Sequence, residues 1–96
     1  MDEKKYSAIK DAMRAAFPHA RIAEHADGVR GIWKFQILRE RGPSPMIGIT
    51  DELIEDYESD DILKKLNEWQ VFKLADDHAA SLVLVTTKGP VIDDRT

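Results

Sequence analysis

Asp76-Asp77-His78 is the tripeptide in this chain best suited to chemistry. Two carboxylates beside an imidazole can pass protons or ligate a metal. A catalytic base also needs an orienting partner and a pocket, and neighbouring residues supply neither. The plainer reading is a polar link between a helix and the last strand, where Asp favours turns. His19 and His25 are six residues apart, so both would face one way if a single strand spanned them. No third ligand lies near them, and Pro18 places His19 at a helix exit, so no metal site and no cofactor is expected.

Charge offers two further candidates. Arg30, Lys34, Arg39 and Arg41 follow one another along a predicted hairpin, and such a basic ribbon can meet phosphates or an acidic protein surface. Basic residues and Pro also guard sheet edges and loops, which explains the same pattern without a ligand. The acidic run Asp51, Glu52, Glu55, Asp56, Glu58, Asp60 and Asp61 lacks the alternating Asp/Asn and the glycine of a calcium loop. Its members fall where helix N-termini favour negative charge. Ser44 and Ser81 have no partner that would make a nucleophile, and Gly28 and Gly31 do not form a phosphate loop. Trp33 and Trp69 fall on the apolar sides of their elements, as core residues do.

The elements that must position these groups read clearly at the start. Tyr6, Ile9, Met13 and Phe17 recur at helical spacing, predicting a helix over 2–17 that Pro18 stops. A weak strand over 20–26 and the turn dipeptide Asp27-Gly28 follow. Residues 31–39 alternate strongly, with Trp33, Phe35 and Ile37 on one face and Lys34 and Gln36 on the other. Two prolines make 40–45 a loop, and 46–49 resume as a third strand of an antiparallel meander. Gly48 marks a bulge or a close packing contact within it.

Thr50 can cap a helix carrying Leu53, Ile54 and Tyr57, and Ser59 a second carrying Ile62, Leu66, Trp69 and Phe72. Residues 70–75 fit helix and strand alike, and helix to about Ala75 is the preferred reading. Residues 82–85 are apolar on both faces, as a covered strand would be. Gly89-Pro90 is expected to end that strand and leave 90–96 as a loose tail. Together these predict one α+β domain over 1–89, in the order α-β-β-β-α-(α)-β. An antiparallel sheet, the meander plus a C-terminal strand, would carry its helices on one face.

Composition narrows the function. The chain has 96 residues, so one core is expected, and it has no cysteine, which removes disulfides, thiol catalysis and cysteine-bound metals. The N-terminal residues are too polar for a secretory segment and no apolar run is long enough to span a membrane, so a cytoplasmic protein without membrane contact is expected. Net charge is −4, but residues 1–48 hold nine basic and six acidic side chains, net +3, and 49–96 hold five and twelve, net −7. Such asymmetry can orient association with a charged partner or with a second copy.

The helix, meander, helix order is similar to that of double-stranded-RNA-binding domains, in topology alone. Those domains meet phosphates with lysines at the start of the second helix, where this chain has Asp51, Glu52 and Glu55. The order also resembles small acidic secretion chaperones, which implies a dimer that binds partner proteins. The leading expectation is a non-enzymatic protein-interaction or regulatory module of the adaptor or chaperone kind, self-associating. A nucleic-acid-binding module using the basic hairpin is the alternative. A small enzyme or metal protein using Asp76, Asp77 and His78 ranks third.

Overall fold

The computed structural model describes residues 3–93. Its elements run α1 (Glu3–Ala16), β1 (Arg21–Asp27), β2 (Ile32–Leu38), β3 (Met46–Thr50), α2 (Asp51–Asp56), α3 (Ser59–Glu68), α4 (Val71–Asp77), β4 (Leu82–Thr86) and β5 (Gly89–Asp93). The first helix forms as its apolar stripe predicts: Ile9 and Met13 are buried, Tyr6 and Phe17 reach neighbouring aromatic rings, and the helix ends before Pro18.

The strands lie side by side in the order β1-β2-β3-β4-β5. The antiparallel meander of the first three is present, with Trp33 opposite Ile49 and Phe35 opposite Ile47. Two features differ from expectation. β3 and β4 pair parallel, because α2, α3 and α4 carry the chain across the sheet between them and a crossover returns it in the same direction. The sheet also has a fifth strand, since residues 90–93, read as loose tail, pair with β4 from Leu82–Asp93 through Thr86–Gly89. Pro90 obscured that strand, yet Pro is tolerated at an edge where no ladder donor is needed. The remainder of the expected tail, 94–96, lies outside the described residues, as does Asp2.

All four helices cover one face. Phe35, Ile47, Ile49, Val83 and Val85 point into the core with Ile9, Met13, Leu53, Ile62, Leu66, Val71 and Ala75. Trp33 packs against this core between Tyr6 and Phe35, and Trp69 packs against it too, so the tryptophans sit as expected. Thr50 caps α2, its hydroxyl accepting from the Leu53 amide at 3.3 Å. Ser59 is instead the first residue of α3, with Glu58 in the cap position. The ambiguous 70–75 segment is helical, but it forms a separate helix: Gln70 adopts φ 51°, ψ 43° and breaks the run between α3 and α4.

Candidate functional site

The opposite face of the sheet carries Ile32, Lys34, Gln36, Met46, Gly48, Leu82 and Leu84 and no helix among the described residues. Gly48 is a packing contact rather than a bulge: a β-carbon there would lie 3.3 Å from Leu84 Cδ1 and 3.5 Å from Leu82 Cδ1. On this face Ile32 and Leu82 are nonetheless buried. Their side chains gather with Leu84 around Gly48. Arg30 Nη2 reaches Asp93 Oδ2 at 3.3 Å, although β2 and β5 are three strand spacings apart, about 14 Å in a flat sheet. A twisted sheet brings two diagonal corners toward one face, and this ion pair joins the β1–β2 turn to the far end of β5 across that diagonal.

The basic ribbon is distributed differently from its linear order. Arg30 pairs with Asp93, Lys34 Nζ lies 3.7 Å from Asp27, and Arg39 pairs with Asp76 while its guanidinium rests over the Phe17 ring. Arg39 and Arg41 line an open cleft of about 650 Å3 with Phe17, Pro18 and His19, at the C-terminal end of α1. Cations at a helix C-terminus offset its partial negative charge. Arg30 and Lys34 sit elsewhere, around the β1–β2 turn, so the four residues form two separate pairs. The Arg30 amide, donating to Asp27 Oδ1 at 3.2 Å, holds the Asp27 carboxyl below the ordinary carboxylate range.

The histidines do not converge. His19 precedes β1, His25 lies on its exposed edge opposite Lys34, and His78 caps α4 with its amide donating to the Leu74 carbonyl at 2.9 Å. Of the Asp76-Asp77-His78 tripeptide, Asp76 is engaged by Arg39. Among the described residues no three His, Asp or Glu side chains are grouped to hold a metal ion.

Sequence reasoning missed one polar cluster and one edge. Tyr6 hydrogen-bonds Glu24, and Lys10 Nζ approaches the same carboxylate at 3.4 Å. Burial above all, then the Glu24 carboxylate, pushes the Tyr6 hydroxyl from 10.0 up to about 12. The i, i+4 spacing of Tyr6 and Lys10 was the available signal. The edge is β5. Val91 is 50% exposed on the helix-free face and Ile92 is 36% exposed on the helix-bearing one. No charged side chain occurs from Gly89 through Ile92. The other edge, β1, is guarded by Arg21, Glu24, His25 and Asp27. Sheets commonly protect their edges this way.

No protein-family model matches the chain, and no curated protein or solved structure is significantly similar to it.

Proposed function

We propose that this protein is a non-enzymatic protein-binding module that works through its β5 edge. One observation carries the reading: the two sheet edges are treated oppositely. β1 bears charged side chains along its length, whereas β5 presents Val91 and Ile92 on its two sides, with Pro90 near one end and the Arg30-paired Asp93 at the other. An edge strand with unpaired backbone groups and apolar side chains is a template for another chain. The separation of the basic ribbon into two groups, with Arg30, Lys34 and Arg39 each matched to a carboxylate, supports a protein partner over nucleic acid, which favours unopposed cations along one surface.

The test is site-directed photo-crosslinking in nuclease-treated native lysate. A benzophenone side chain at position 91 is expected to give discrete protein adducts. The same probe at position 29, where Val29 is 98% exposed in the β1–β2 turn, is expected to give none. Adducts to nucleic acid, or the same adducts from both positions, would remove the reading.

A further inference from the structure

Resting on the reading of β5 as a binding edge, we infer that its occupant is an extended segment of another protein that alternates apolar and basic side chains and adds to the sheet as a sixth strand. The hairpin register determines which backbone groups face outward. Thr86 and Gly89 flank the two-residue turn, and Val85 lies opposite Pro90, which has no N–H to give. Bonded and non-bonded pairs alternate along an antiparallel ladder. Leu84 and Val91 are therefore a bonded pair, and Val83 and Ile92 are not. The outward groups are thus the Pro90 carbonyl and both the N–H and the carbonyl of Ile92, set about 7 Å apart along the strand.

Only an extended main chain matches donors and acceptors at that repeat, and its alternate side chains would lie beside Val91 on one face and Ile92 on the other. A second copy of β5 fits less well. Each Pro90 lacks an N–H and leaves the carbonyl opposite it without a donor, so a self-paired edge carries that deficit twice and a proline-free partner only once. Charge disfavours a second copy as well. The whole chain carries net −4. Two copies therefore repel at long range, and a basic segment is attracted.

The probes are two end-blocked heptapeptides, one alternating Val with Lys and one alternating Val with Glu, titrated into 15N-labelled protein. The Val/Lys peptide is expected to shift the Val91 and Ile92 amides and slow hydrogen exchange at Ile92. It should bind at least about tenfold tighter than the Val/Glu peptide at low salt, with the gap narrowing as salt screens it. Ile92→Pro removes the outward donor and should weaken binding at least about tenfold. In case that variant fails to fold, N-methylation of the peptide at the amides facing the edge provides the same loss with the protein untouched, and methylation of the intervening amides should not. No response at Ile92, equal binding of both peptides, or a dimer through β5 that the peptide cannot displace would overturn the inference. Protein adducts at position 91 combined with any of these results would leave the protein-binding reading in place and remove this mode of recognition alone.

Discussion

Tyr6 and Lys10 lie one turn apart on α1, and both reach Glu24 on β1. This ties the first helix to the sheet edge that the charged residues guard, and it gives the protein an alkaline signature. The hydroxyl ionises near 10 in an unfolded chain and near 12 in the folded one. Raising the folded value means that stability is fully present below about pH 10 and falls as pH rises toward 12, because the unfolded state releases its proton first. Urea midpoints measured between pH 9 and 12 should drop more steeply for the native protein than for Tyr6→Phe; parallel curves would show that the hydroxyl is not held back. Residue types alone could not show this cluster, since Glu24 joins it from another element. The same limit applies to the cations. Arg30, Lys34, Arg39 and Arg41 read as one ribbon in sequence, and Asp93, Asp27 and Asp76 separate them in space.

Elements were legible where their signal is local. The helical stripe of α1, the alternation of β2, the Thr50 cap and the apolar run of β4 each state their structure within a few residues. The parallel pairing of β3 with β4 depends on where three helices deliver the chain, which no local pattern encodes. The break at Gln70 was hidden for a related reason. Trp69 and Phe72 continue the spacing of Ile62 and Leu66 and pack partly buried against the core, so the stripe reads through a residue that is left-handed, although Val71 and Ala75 are the positions fully buried beyond it. That conformation is costly for a side chain with a β-carbon, by roughly 1–2 kcal/mol, and free for glycine. Gln70→Gly should therefore raise stability by up to about 1 kcal/mol once its extra chain entropy is included. In an unbroken helix the same change would lower stability by about 1 kcal/mol. The sign of the shift in urea midpoint decides between the two conformations.

For the whole molecule, β5 has two consequences that pull in different directions. As the partner of β4 it helps keep Leu82, Val83 and Val85 buried, and through Asp93 it ties to Arg30 in the β1–β2 turn. As an edge it leaves Val91 and Ile92 in solvent. The exposed ion pair itself adds little, under about 1 kcal/mol, as such pairs do; the strand matters through the area it covers and the backbone groups it pairs. A chain ending at Lys88 would make β4 the edge and expose a strand that is apolar on both faces, with its outward N–H and carbonyl groups unpaired. Losing several buried aliphatic contacts removes several kcal/mol, comparable to the entire stability of a domain of this size. The truncated chain is expected to lose cooperative thermal unfolding by near-UV circular dichroism and to self-associate. Were 90–93 a detached tail, the same truncation would leave the transition midpoint where it was. Retained cooperative unfolding without β5 would place the closing strand of the sheet, and the binding edge proposed on it, outside the folded unit.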